Sequence, residues 1–185
     1  FMKQISYGKA VYGQKEISAV LKTIKKTTQM GYNVNLFEKK ISKLFQKKYG
    51  IMTNSGTSAL ILAVDALRLP KNSEVITPCL TFATSVSSIV KNDLIPSFVD
   101  VDKDTLCIKV EDIENKITKR TKAILIPDLI GNISNWGVIK RIAKKYKLKV
   151  IHDSADTLGA LFGKKSTGFY SDISITSFYG SHVIT

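Results

Sequence analysis

Histidine and cysteine are nearly missing from this chain, at two residues each, and tryptophan occurs once. Cys79 and Cys107 stand far apart with no metal-ligand spacing, which excludes a disulfide framework or zinc motif and makes a reduced, cytoplasmic protein the expectation. No apolar run reaches the roughly 18–20 residues of a membrane span, and the N-terminus has no signal-peptide pattern. Phe1 before Met2 reads as one residue ahead of the natural start. Acidic residues are also scarce, 15 against 28 Lys and Arg, for a net charge of +13. That balance raises nucleic acid as a partner, but the basic residues fall in helical stretches. Lys39, Lys40, Lys43, Lys47 and Lys48 interleave with Phe37, Ile41 and Leu44, and Lys140, Arg141, Lys144, Lys145 and Lys147 with Ile139, Ile142 and Ala143. They read as solvated faces of amphipathic helices. With no helix-turn-helix, zinc-finger or RNA-binding signature, nucleic acid is not expected; a basic surface suits a small anionic substrate equally well.

The remaining pattern is that of one globular α/β unit with a mostly parallel sheet flanked by helices. Strands are predicted near residues 50–53, 74–77, 95–99, 123–127, 149–152 and 173–178. Helices are predicted near 14–27, 35–49, 58–68, 82–91, 110–117 and 135–146, the second opened by an Asn35-x-x-Glu38 capping box. There is no repeat, low-complexity stretch or flexible linker. The apolar run that ends at Thr185 would leave an open sheet edge, so the chain is expected to be part of a longer one.

Several residues carry chemistry. In Asn54-Ser55-Gly56-Thr57-Ser58-Ala59-Leu60, small residues at a helix start can bring backbone N–H groups against a phosphate, although Ser and Thr there also serve simply as caps. Asp153, in Val150-Ile151-His152-Asp153-Ser154-Ala155-Asp156, lies just beyond a buried strand, where open α/β sheets bind ligands; a turn aspartate looks the same. Phe82, after Thr77-Pro78-Cys79-Leu80-Thr81, could stack on a flat ring or belong to the core. Ser177 could bond a phosphate, and His182 could move protons near neutral pH.

In this order and spacing, Ser55-to-Leu60, Pro78-to-Thr84, His152-Asp153 and Ser177-Phe178 resemble the DegT/DnrJ/EryC1/StrS family of sugar aminotransferases. Gly8-to-Gln14 and Gly163-x-x-Ser-x-Gly168 extend the resemblance over essentially the whole chain. It implies the large domain of a fold-type-I pyridoxal phosphate (PLP) enzyme, with residues 1–185 supplying an N-terminal segment and most of that domain and with the C-terminal domain lying outside the chain. By resemblance Gly56, Thr57, Ser58 and Ser177 bind the cofactor phosphate, Phe82 stacks on the ring and Asp153 holds the pyridine nitrogen. Three positions depart from the usual pattern. His182 stands in place of the lysine that binds PLP covalently, His152-Asp153 in place of Glu-Asp, and Asp156 in place of a Gln or His at the cofactor.

Asp153-Ser-Ala-Asp156-Thr-Leu-Gly159-Ala160, Pro127-to-Trp136 and Ser177-to-His182 resemble the family's dehydratase branch, which includes GDP-4-keto-6-deoxymannose 3-dehydratase. The resemblance implies a lyase of bacterial surface-sugar (lipopolysaccharide O-antigen) synthesis. Its substrate would be a nucleotide-linked 4-keto-6-deoxyhexose, with PLP cycling to the pyridoxamine form (PMP), glutamate as amino donor, and a homodimer as the working state. One relative in the branch uses an iron–sulfur cluster, whose ligands would lie outside this chain. Histidine keeps lysine's proton transfer and loses its imine chemistry. Two other readings stand beside this one: a sugar aminotransferase using another lysine, with Lys164 and Lys165 nearest, and an inactive relative that only binds.

Overall fold

The computed structural model describes residues 11–26, 29 and 31–184. Gly8, Lys9 and Ala10 of the Gly8-to-Gln14 motif, Thr27 at the end of the first expected helix, and Thr185 therefore lie outside the described residues. The elements run α1 (Gln14–Lys26), α2 (Tyr32–Leu44), α3 (Gly56–Asp65), β1 (Glu74–Pro78), α4 (Ala83–Val90), β2 (Ile95–Val99), β3 (Thr121–Pro127), α5 (Trp136–Tyr146), β4 (Lys149–Asp153), β5 (Leu161–Phe162), β6 (Lys165–Ser166) and β7 (Ile173–Ile175). Five strands form a parallel sheet in the order β2-β1-β3-β4-β7, and β5 and β6 make a separate antiparallel hairpin.

Strand alternation divides the core into two layers. Val75, Ala123, Leu125, Ile151 and Ile175 point to one face, where Leu60, Ala63 and Val64 of α3 and Ile89 of α4 cover them. Ile76, Ile124, Ile126 and Val150 point to the other and meet Trp136, Ile139, Ile142 and Ala143 of α5. The caps come from the sequence: Ser55 Oγ accepts the Ser58 N–H at 3.1 Å, and Asn135 Oδ1 accepts that of Val138 at 3.2 Å. Each satisfies one orphan donor of a helix start.

Five expectations are corrected. Residues 50–53 form no strand: a Cβ at Gly50 would lie 2.5 Å from the Glu38 carbonyl oxygen, and Glu38 Oε1 accepts the Met52 N–H at 2.7 Å. That segment is laced to α2, and Glu38 is spent there rather than in a capping box; α2 instead begins at Tyr32, after Gly31. Residues 110–117 form two 3-10 turns, Val110–Asp112 and Glu114–Lys116. Val110 and Ile113 are both buried, and a spacing of three puts them on one side of a 3-10 turn. The last strand stops at Ile175, because Thr176 turns its hydroxyl to the Ser154 carbonyl at 3.0 Å. Lys47 is half-buried rather than solvated; its ammonium donates to the Ser171 carbonyl, and burial pushes its pKa down.

The Gly163-x-x-Ser-x-Gly168 motif has a steric reason. Gly163 turns the β5–β6 hairpin at φ +62°. A Cβ on Gly168 would sit 2.4 Å from the Phe45 carbonyl oxygen, so only glycine lets the two backbones meet. By contrast α1 buries none of its residues. Ile17, Val20, Leu21 and Ile24 lie exposed on one helical stripe.

Candidate active site

The C-terminal ends of the parallel strands and the N-termini of α3 and α4 gather at one edge, the usual ligand position in an open α/β sheet. β4 and β7 are neighbours with Asp153 opposite Ile175, which brings Ser177 close to the aspartate segment. Ser177 also meets α3: a Cβ on Gly56 would stand 3.3 Å from Ser177 Cβ and 3.5 Å from its Oγ. The Ser58 N–H is taken by its cap. No contact among the described residues takes the N–H of Gly56 or Thr57, and these remain directed out of the helix end. The predicted phosphate set of Gly56, Thr57, Ser58 and Ser177 is thus brought together around a helix N-terminus. Phe82 occupies the N-cap position of α4, with 72% of its surface exposed, free to cover a ring.

Asp153 is 5% exposed at the end of β4. Its Oδ1 accepts the Ala155 N–H at 3.1 Å and its Oδ2 accepts the Ser85 hydroxyl at 3.3 Å. Burial raises its pKa above the usual carboxylate range, opposed by the Ala155 N–H, His152 and the Ser85 hydroxyl. A raised carboxyl costs stability once it must ionise. The folded chain holds the proton more firmly than the unfolded one, so stability falls as pH rises from the ordinary carboxylate value through the raised one. From pH 4 to pH 8, Asp153→Asn in the intact, cofactor-free protein is therefore expected to gain about 2–4 °C in Tm relative to wild type, superimposed on a pH-independent cost of setting its NH2 against the Ala155 and Ser85 donors. Thermal melts across that range check it; a Tm difference independent of pH would show that the buried charge is not the cause.

His182 lies near the end of the described chain. Its backbone N–H donates to the Tyr179 carbonyl at 2.8 Å, and its ring packs edge-on to Tyr179 at 5.6 Å between centroids. Nε2 faces Asp156 Oδ1 at 3.7 Å, and Nδ1 is buried without a partner among the described residues. Asp156 Oδ2 in turn accepts the Ile130 N–H at 3.0 Å. Ile130 has φ +56°, an unfavourable left-handed backbone for a β-branched residue. Asp156 therefore stands between that loop and His182.

His152 does not share the site with Asp153. Alternation sends its fully buried ring to the α5 face, where Nε2 lies 3.0 Å from Asp128 Oδ2. Lys165 is also elsewhere. Its ammonium sits 3.7 Å from the Phe169 ring centroid, with Lys140 of α5 at 3.8 Å from the same ring. Ser85 and Ile130 at the site, and Asp128 behind it, are residues that the sequence pattern does not single out. The available signal was Ser85 and Ser88, small polar residues on the inward face of α4.

The residues fit PLP or PMP held without a covalent bond. There is a helix N-terminus opened by glycine for a phosphate, a buried carboxylate for a ring nitrogen, an exposed aromatic for a ring face, and an imidazole nitrogen lacking a partner. Residues 11–185 match the DegT/DnrJ/EryC1/StrS aminotransferase family. The chain belongs to that family.

Among curated relatives, the lipopolysaccharide biosynthesis protein RfbH of Salmonella typhimurium is 40% identical over 157 residues, covering 80% of this chain and 36% of the relative. GDP-perosamine synthase of Escherichia coli O157:H7 is 39% identical over 155 residues, covering 84% and 43%. The chain thus spans less than half the length of either. In three dimensions it is similar to a GDP-4-keto-6-deoxymannose-3-dehydratase mutant with bound GDP-perosamine, with TM-score 0.91, 30% identity, and 97% of this chain and 48% of that one covered. It is also similar to the E. coli enzyme of that name with bound hydrated PLP, with TM-score 0.81, 31% identity, and 88% and 44% covered. The α/β fold and the affinity with PLP-dependent sugar enzymes are common to dehydratases and aminotransferases alike. Among the described residues no cluster of His, Cys, Asp and Glu could hold a metal ion, and no helix is long and apolar enough to cross a membrane.

Proposed function

We propose that the intact protein is a 3-dehydratase that removes the C3 hydroxyl of a nucleotide-linked 4-keto-6-deoxyhexose. The observation that carries this reading is His182, an imidazole where the family's aminotransferases place the cofactor-binding lysine. Gly56, Thr57, Ser58 and Ser177 hold the cofactor phosphate, Phe82 lies on the ring, and Asp153 receives the proton-bearing ring nitrogen. When bound as PMP, the cofactor supplies an electron sink that makes the carbon beside its amine acidic. With Nε2 turned to Asp156, Nδ1 of His182 is the nitrogen free to take that proton and to deliver one to the departing C3 oxygen, which then leaves as water rather than hydroxide.

Glutamate restores the amine, and the product belongs to cell-surface sugar synthesis in the cytoplasm. The exposed apolar stripe of α1 supports burial against a second chain in a homodimer. An aminotransferase would need a lysine at the ring, and Lys165 is engaged by Phe169. A merely inactive relative would have had no reason to keep Asp153 satisfied on both oxygens beside the Gly56–Ser177 cradle.

The test supplies the intact protein with PLP, glutamate and GDP-4-keto-6-deoxymannose, and reads the sugar by mass spectrometry. Loss of the C3 oxygen with ammonia release is the expected result. A sugar that keeps its oxygens and gains an amino group would assign the aminotransferase instead.

A further inference from the structure

Asp153 has a built support that the site itself does not require. Thr81 Oγ1 donates to Ser85 Oγ at 3.0 Å, and Ser85 Oγ donates to Asp153 Oδ2 at 3.3 Å. Ser85 is fully buried, so water does not compete for its hydroxyl. A serine hydroxyl has one proton. Because Thr81 donates into that oxygen, the Ser85 proton is left for the carboxylate. With the Ala155 N–H on Oδ1, both oxygens of Asp153 face donors only, an arrangement suited to an anion and to receiving one more N–H. The support is also local to the ring-covering residue. Phe82 caps α4 and Ser85 follows three residues later, its N–H donating to the Phe82 carbonyl at 3.0 Å. One helical turn therefore sets both the residue over the ring and the residue behind the carboxylate.

We propose that Ser85 is a positioning residue for the cofactor: through the Thr81–Ser85–Asp153 relay it holds the carboxylate as an acceptor aimed at the ring nitrogen. The proposal rests on the reading of Asp153 as that nitrogen's partner. The relay strengthens binding of the protonated pyridine ring more than it strengthens the fold.

The test uses the intact protein with PLP alone as probe. Affinity is measured by fluorescence titration, the absorbance of bound PLP is followed against pH, and melting is recorded in parallel. Ser85→Ala is expected to weaken PLP about tenfold and to move the pH profile of the bound absorbance. Thr81→Val should do the same to a smaller degree, since it frees the serine hydroxyl to turn away. A Ser85→Ala protein with wild-type PLP affinity and an unmoved profile overturns the relay. So does one that only melts earlier. Should Ser85→Ala fail to fold, an unaltered PLP affinity and profile in Thr81→Val overturns it in the same way. Asp153→Asn separates the two levels: if it binds PLP as tightly as wild type, the active-site reading fails as well. If it weakens PLP while the Ser85 and Thr81 variants do not, only the relay fails.

Discussion

His182→Asn is expected to lower the rate of C3 deoxygenation by about 10³-fold while leaving the affinity for PLP within about threefold. The separation follows from where the groups sit. In the proposed site, phosphate and ring contacts come from α3, α4, β4 and Ser177, and none of them needs the imidazole. Asparagine keeps a polar side chain of similar reach but cannot carry a proton between two atoms. Steady-state turnover and PLP titration on the same preparation check it, and a variant retaining more than a tenth of the activity removes His182 from the reaction. His182→Lys adds the complementary result. An amine at that position can join PLP covalently, so borohydride treatment should fix cofactor to the chain in the variant and not in wild type. Deoxygenation should be lost in the lysine variant as well, because the lysine is engaged with the cofactor instead of idle beside it. Asp156 at 3.7 Å from Nε2 gives the introduced ammonium a counter-charge, which favours a folded, testable protein.

Much of the fold is legible in the sequence because the central strands are buried on both faces. Val75-Ile76, Ala123-to-Ile126 and Val150-Ile151 are short apolar runs, the form that a covered parallel strand takes. The same logic misleads at residues 50–53, where Ile51-Met52 is an apolar pair without a neighbouring strand; Ile51 is 83% exposed. Residues 110–117 show the complementary error, since Val110 and Ile113 recur at a spacing that helix and 3-10 turn share. In the proposed site, Gly56, Phe82, Asp153, Ser177 and His182 are legible through local motifs and their order. Ser85 and Asp128 are not, because their meaning lies in partners 68 and 24 residues away. A serine within a helix announces nothing until the carboxylate it faces is known.

The departure at His152 shows how such distant partners can be recovered and what they hold together. Replacing Asp128 by alanine is expected to destabilise the protein by about 3–5 kcal/mol, the largest stability effect of any single change here. Asp128 is 1% exposed. Its Oδ1 accepts the Ser134 N–H at 2.8 Å, and its Oδ2 accepts the Trp136 indole N–H at 3.0 Å. His152 Nε2 reaches the same Oδ2 at 3.0 Å. A carboxylate only accepts, so the bridging proton belongs to the imidazole, and three buried donors converge on one side chain. Removing it strands all three, together with a cavity beneath the indole, and stranded buried donors cost far more than the bonds themselves contribute. Asp128→Asn should cost less, about 1–3 kcal/mol, because the amide oxygen still serves some of the donors while its NH2 confronts the rest. The loop from Asp128 to Trp136 also carries Ile130, whose N–H holds Asp156. Loosening it should therefore reach the neighbour of His182 as well. Chemical denaturation of wild type, Asp128→Ala and Asp128→Asn gives the ranking. An Asp128→Ala loss below about 1 kcal/mol would mean that water or rearranged backbone satisfies the donors, and that the network is not what pins this loop to the sheet.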